Sequence, residues 1–258
     1  VRDGNGSVVF AGMDIDIALE SGTVFMQEGR TVDARNGLLE IREANKRPVI
    51  GRLAIDVEGK ADAILALASY DPIDVSRFFD VKPDELSGSV TGKITTDIPL
   101  ERDFPIEKLE WKVDLAYDDL SIARPFEGQK VTKAKGSIVV DPRKAEIAAA
   151  ALLNGVSADV RLVEPLGQSA VERQRRVVLN LDDAGRRAIA PGLNTVLSGT
   201  ARVELDDANG DARSVKASLE RAMLNIPWIG WSKGSGVPAS VAFGLEQQGN
   251  VTRLSDFK

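Results

Sequence analysis

Apolar and polar side chains alternate along most of this chain, and that alternation limits its fold more than any other feature, because a β-strand sends successive side chains to opposite faces. From Leu86 to Ile98 the even positions are Leu86, Gly88, Val90, Gly92, Ile94, Thr96 and Ile98, and the odd ones Ser87, Ser89, Thr91, Lys93, Thr95 and Asp97. The next segment sets Leu109, Trp111, Val113, Leu115 and Tyr117 against Glu110, Lys112, Asp114 and Ala116. Similar runs occupy Met13 to Leu19, Leu53 to Val57, Ala134 to Val140, Val156 to Leu162, Leu197 to Leu205 and Val237 to Leu245. Thirteen residues of strand reach roughly 40 Å, well beyond the usual five or six residues. The expected fold is mainly β, a long antiparallel meander sheet curled into a groove or half-barrel, with two short helices.

Turn chemistry falls between these runs. Asn36-Gly37 and Asn154-Gly155 suit two-residue type I′ hairpins, the first pairing Ala34 with Leu39 and Val32 with Ile41. Asn209-Gly210 predicts a third turn, between Val203-Glu204-Leu205 and Val215-Lys216-Ala217. Short helices are expected over Pro72 to Asp80 and over Asp182 to Ala190, the latter ending at Pro191-Gly192.

Leu86-Ser87-Gly88 follows the first expected helix, and Leu197-Ser198-Gly199 follows the second. Leu115 with Leu120, Ser121 and Ile122 is echoed by Leu219 with Leu224, Asn225 and Ile226. Lys135-Gly136-Ser137 is echoed by Lys233-Gly234-Ser235. The short helix, the Leu-Ser-Gly run and these two echoes are four matches in one order and point to a duplicated unit of about a hundred residues, against the plainer account that hairpins share ordinary turn residues. The chain is therefore read as one elongated β region over 1–258, with repeat units at 67–160 and 179–258. Val1 in place of Met, and the absence of any signal-like segment or apolar run long enough to span a membrane as a helix, read as a piece of a longer protein.

Composition closes several routes to function. The chain has no His and no Cys, which removes histidine bases, thiolate nucleophiles, disulfides and the usual zinc ligands. A net charge of −6 argues against a nucleic-acid partner, which requires a concentrated basic face. The acid pairs Asp14/Asp16, Asp118/Asp119, Asp182/Asp183 and Asp206/Asp207 each have an ordinary place on a polar strand face, at a helix start or in a turn. Asp207, Asn209 and Asp211 imitate the start of a calcium loop, but Ala212 and Ser218 stand where it needs Gly and Glu. Gly230 to Gly236 is rich in glycine without the Gly-Lys-Ser/Thr ending of a phosphate loop. No catalytic residue, metal or cofactor is expected, and the chain is read as a non-enzyme. Trp228 and Trp231, with Ile226 and Ile229, are expected in the core ahead of a surface that meets another chain or a lipid.

The inward positions include many small residues, among them Gly88, Gly92, Ala134, Gly136, Gly199, Ala201 and Ala239. Such a face is either too lean to fill itself, leaving room for acyl chains at about 0.8 kcal/mol per buried methylene, or shaped for close approach of a second sheet. Strand parity nominates a lining of Leu86, Val90, Ile94, Ile98, Leu109, Trp111, Val113, Leu115, Ile138, Val140, Leu197, Val203, Leu205, Val241 and Phe243.

Asp71-Pro72-Ile73-Asp74-Val75-Ser76-Arg77-Phe78-Phe79, followed by Leu86-Ser87-Gly88-Ser89-Val90-Thr91-Gly92 and Ile98-Pro99-Leu100, resembles the AsmA-like proteins of Gram-negative envelopes, particularly the YhdP branch. So do Leu181-Asp182-Asp183-Ala184-Gly185-Arg186-Arg187, Leu197-Ser198-Gly199-Thr200-Ala201, Leu219-Glu220-Arg221-Ala222 and Ile226-Pro227-Trp228. The likeness runs over most of Ile55 to Leu254 and carries no catalytic signature. It implies a periplasmic segment of an inner-membrane-anchored bridge, whose β-groove conducts phospholipid towards the outer membrane and supports outer-membrane integrity. The partners it implies are phospholipid and envelope proteins at either membrane. The rival expectations are a closed β-sandwich that binds a protein or glycan through loops such as Trp228 to Gly236, an outer-membrane barrel, and a hydrolase working with carboxylates alone.

Overall fold

The computed structural model describes residues 2–256 and 258, apart from 71–73, 76–79, 103, 106, 107, 127, 190, 209–211, 249 and 250. Its strands, in chain order, are β1 (Arg2–Ala11), β2 (Asp14–Phe25), β3 (Thr31–Ile41), β4 (Ile50–Lys60), β5 (Leu86–Pro99), β6 (Glu110–Ile122), β7 (Val131–Val140), β8 (Lys144–Leu153) and β9 (Val156–Pro165). They continue as β10 (Gln174–Leu181), β11 (Leu197–Gly199), β12 (Ala201–Ala208), β13 (Ala212–Ser218), β14 (Ala222–Ile226), β15 (Trp231–Lys233), β16 (Ser240–Gln248) and β17 (Val251–Ser255). Helix α1 (Ala61–Ala68) follows β4, and α2 (Asp183–Ile189) follows β10.

Fourteen strands form one antiparallel meander sheet in the order β1 to β10, then β12, β13, β16 and β17. β1 and β17 are its two edges, so the sheet does not close on itself. β11, β14 and β15 form a separate three-stranded sheet. The expected mainly-β meander with two short helices is the observed fold.

The chain divides into two compact units. The first is Val1–Arg124 with Lys133–Glu146 and Pro165–Ser169. The second is Pro125–Thr132 with Ile147–Glu164 and Ala170–Lys258.

In the first unit, register explains how alternation becomes a two-faced sheet. Val32, Gly59, Val90 and Tyr117 lie in one row across β3 to β6; two residues along, Ala34, Val57, Gly92 and Leu115 form the next row on the same face. The row between them carries Asp33, Glu58 and Thr91, and the row beyond carries Arg35, Asp56, Lys93 and Asp114.

Asn36-Gly37 corrects one expectation. It is not a hairpin turn but a bulge inside β3, with Asn36 at φ 51° and the register shifting between Arg35 and Leu38. An extra residue in a strand moves the apolar side chains from even to odd positions. Val32 and Ala34 before the bulge therefore share a face with Leu39 and Ile41 after it. A hairpin would align the same four residues, which is why the sequence pattern alone favours the turn. The chain actually reverses before β3, where the Met26 amide donates to the Arg30 carbonyl at 2.9 Å. It reverses again in the loop from Arg42 to Val49.

Asn154-Gly155, with φ of 51° and 83°, does join β8 to β9. Asn209-Gly210 lies outside the described residues, yet the flanking strands pair as expected, Val203 with Ala217 and Leu205 with Val215.

The helix expected over Pro72 to Asp80 falls largely outside the described residues. The first unit's helix is α1, eight residues of Ala, Leu, Ile and one Asp, good helix formers apart from the Asp. Asp62 sits in its first turn, where a carboxylate favours the helix dipole, and Arg30 Nε donates to Asp62 at 3.3 Å. Ala61, Ala63 and Ile64 are buried.

In the second unit α2 matches the expected helix. Its Arg186 is only 1% exposed, and the guanidinium donates to the carbonyls of Leu181, Leu197 and Gly199 and to the Asp183 carboxylate. That one side chain ties α2 to β11 at a depth where a cation persists only with such partners.

Both units show the order strand, short helix, 3-10 turn, then Leu-Ser-Gly with the glycine in the left-handed half of backbone space. Gly88 has φ 118° and Gly199 has φ 87°. A methyl group on Gly88 would stand 2.8 Å from Leu120 Cα and 2.9 Å from the carbonyl oxygens of Asp118 and Asp119. Gly88→Ala is therefore expected to destabilise the fold by about 2–4 kcal/mol, from backbone strain plus displacement of β6. Gly234→Ala, where the new carbon meets nothing within 4 Å, should change stability little. Urea unfolding of the two variants measures the difference.

Candidate functional site

The nominated lining residues of the first unit come together. Gly92 pairs with Leu115 and Ile94 with Val113, while Leu115 pairs with Ile138 and Val113 with Val140, which puts β5, β6 and β7 on one apolar face. Trp111 lies opposite Thr96 on that face, and Ile98 opposite Gly51. Leu109 continues the same parity just before β6. Leu86 lies beyond a break in register, opposite Ile122.

Sequence parity missed how far the face extends. Ile15, Ile17 and Leu19 of β2 pair with Ile41, Leu39 and Gly37 of β3, and Leu39 pairs with Leu53 of β4. Val8 and Phe10 of β1 lie opposite Ile17 and Ile15. The signal that reaches them is the same alternation, once the parity change at Asn36-Gly37 is allowed for.

Cover over this face is uneven. Val32, Val57 and Val90 are at most 7% exposed, in the rows nearest α1, which packs on β3, β4 and β5. Leu39, Leu53, Ile55, Ile94, Trp111 and Leu115 are half-buried. At the β1 edge Ile17 is 39% and Phe10 71% exposed. The glycines on this face are not empty slots. A methyl on Gly92 would stand 2.3 Å from Leu115 Cδ2, on Gly51 2.9 Å from Leu39 Cδ1, and on Gly37 2.9 Å from Leu19 Cβ. Larger neighbours already lean over them, so the apolar face is a continuous surface at these positions.

In the second unit Leu205, Val215 and Phe243 form one row and Val203, Ala217 and Val241 the next row on the same face. Leu197 lies elsewhere, buried in the three-stranded sheet opposite Leu224.

The opposite face carries the charge. In the first unit Arg42 pairs with Asp16 at 2.5 Å and with Glu40, Arg35 with Glu58 at 3.6 Å, and Arg52 with Asp97 at 3.9 Å. A recess of about 600 Å³ opens between such side chains, with Asp33, Arg35, Glu58 and Lys93 around Thr91 and Ala116. Side chains of both signs of charge rim it, while Val57, Leu115, Ala116 and Val139 supply apolar lining. Among the described residues, no three His, Cys, Asp or Glu side chains stand together as a metal site. No helix among them is long and apolar enough to cross a membrane.

In the second unit the Glu204 carboxylate accepts a hydrogen bond from Arg176 at 2.7 Å and is paired with Arg202 at 3.4 Å. The Arg176 hydrogen bond, then its charge and those of Arg202, hold Glu204 below the usual carboxylate range. A depressed folded-state value means that its contribution to stability is full above the unfolded carboxylate range and is lost as pH falls through the lower, folded value. Glu204→Gln is expected to lower the melting temperature at neutral and alkaline pH, where the carboxylate's contribution is full, and to converge with the parent chain as pH falls through that acidic window, read as melting temperature against pH.

No family model, no curated protein and no solved structure matches this chain.

Proposed function

We propose that this chain is a non-enzymatic, lipid-binding segment of a periplasmic bridge, holding phospholipid acyl chains against its apolar sheet face and passing them between inner and outer membranes. The observation that carries this reading is the half-buried apolar face running through β2 to β7 of an open sheet. A sheet with one apolar face needs a partner for it. Helix α1 serves the rows at one end, and Leu39, Leu53, Ile55, Ile94 and Trp111 remain partly accessible beyond it. Acyl chains gain from such a surface in proportion to the methylenes they bury.

Charge supports the same division of labour. The ion-paired face keeps one side of the sheet in water, so that lipid on the other side does not drive the sheet into a bilayer. Movement along the face is passive in this reading, because lipid contacts alike along a row of Leu, Ile and Val side chains favour no single position. Phospholipid is the ligand, the periplasm the compartment, and a longer membrane-anchored protein the parent. The sheet's open order, with β1 and β17 as free edges, favours this reading over a closed sandwich.

Parity supplies its own control for a test. A photo-crosslinking residue at Ile94, on the accessible apolar face, is expected to label phospholipid, while the same residue at the adjacent, oppositely facing Lys93 labels it far less. Equal labelling at the two positions, or none at Ile94 in a folded sample, overturns the reading.

A further inference from the structure

Trp228 is 74% exposed, Ile229 65% and Trp231 46%. The expectation that they fill the core is thus corrected. They crown the hairpin of β14 and β15, where Pro227–Ile229 makes one 3-10 turn and Gly230 reverses the chain at φ 65°. Ile226 pairs with Trp231 and Leu224 with Lys233 along the stem, so the tip residues stand beyond the last ladder rung with little of the protein to cover them.

We infer that this hairpin tip is a membrane-contact element, inserting Trp228, Ile229 and Trp231 into the interfacial layer of a phospholipid bilayer. Three independent features favour a bilayer over other occupants. The first is chemical type. An indole joins a large apolar ring to an N–H donor and so prefers a boundary that is apolar on one side and wet on the other.

Charge is the second. In a chain where 39 of 258 residues are acidic, residues 221–245 contain no carboxylate, and their two cations are Arg221 and Lys233. The segment can approach anionic headgroups without burying or repelling a negative charge.

The third is rigidity. Lys233 is 6% exposed, and its ammonium donates to the carbonyls of Leu219, Ala222 and Gly234 at 2.8, 2.7 and 3.1 Å. That cation is consumed in bracing the hairpin base, and β11 on the other side of β14 is held by Arg186. A tip fixed in advance loses little freedom on insertion. The inference stands apart from the acyl-chain reading of the sheet face, since the hairpin belongs to the three-stranded sheet and uses different residues.

The chain has three indoles, so Trp111→Phe leaves Trp228 and Trp231 as the reporters. With phosphatidylcholine vesicles containing phosphatidylglycerol as the minority lipid, their emission is expected to shift to the blue and to be quenched by lipids brominated along the acyl chain. Combining Trp228→Ser with Ile229→Ser in the otherwise unmodified chain should weaken co-sedimentation with the vesicles by roughly tenfold or more. Lipid labelling from the Ile94 position should survive that change. An unshifted, unquenched emission, or unchanged co-sedimentation of the double variant, overturns the inference. So does concentration-dependent self-association that accounts for the shift without vesicles. Loss of Ile94 labelling with vesicle binding intact instead counts against the sheet-face reading alone.

Discussion

The segregation of side chains to the two faces of an open sheet is the constraint on which the rest of the structure depends. Each strand is amphipathic by parity, and the gain from burying its apolar half is realised only if neighbouring strands keep the same half on the same side. A slip of one residue would place Asp56 and Lys93 among the valines. Register is therefore the quantity the sequence must protect, and the strands are long because each rung adds another reason not to slip.

Irregular positions serve that constraint. The bulge at Asn36-Gly37 returns β3 to the common apolar face after a change of parity. Gly88 and Gly199 end a Leu-Ser-Gly run where the backbone passes within contact distance of the neighbouring strand. Helix α1 and the buried guanidinium of Arg186 in α2 show two ways of closing the end of an amphipathic sheet. One covers it with alanine and isoleucine, and the other ties a helix to strand carbonyls through the two terminal nitrogens of a single buried guanidinium.

What is left uncovered then defines where a ligand can act. The apolar face grades from complete burial at Val32 to open exposure at Phe10, while the charged face is held by ion pairs at its surface, each of small individual worth. The Trp228 hairpin is a separate exposed apolar feature with its own support. The acyl-chain proposal for the first and the bilayer proposal for the second rest on different residues, and neither site's geometry requires the other.

Alternation by itself determined the strand content, the antiparallel meander and most of the lining from Val90 to Val140, because side-chain direction in a strand follows from residue number alone. It also placed α2 and the Asn154-Gly155 turn, whose signals are local. Tertiary pairing decided the rest. Asn-Gly adopts the same left-handed backbone in a bulge as in a hairpin, so only the presence of strands on both sides of β3 separates the two. Helix α1 has no distinct periodicity over its short apolar run. Trp228 and Trp231 look like core in sequence because burial is the common fate of indoles, and only a hairpin that ends on the rung of Trp231 and carries Trp228 past it leaves them exposed.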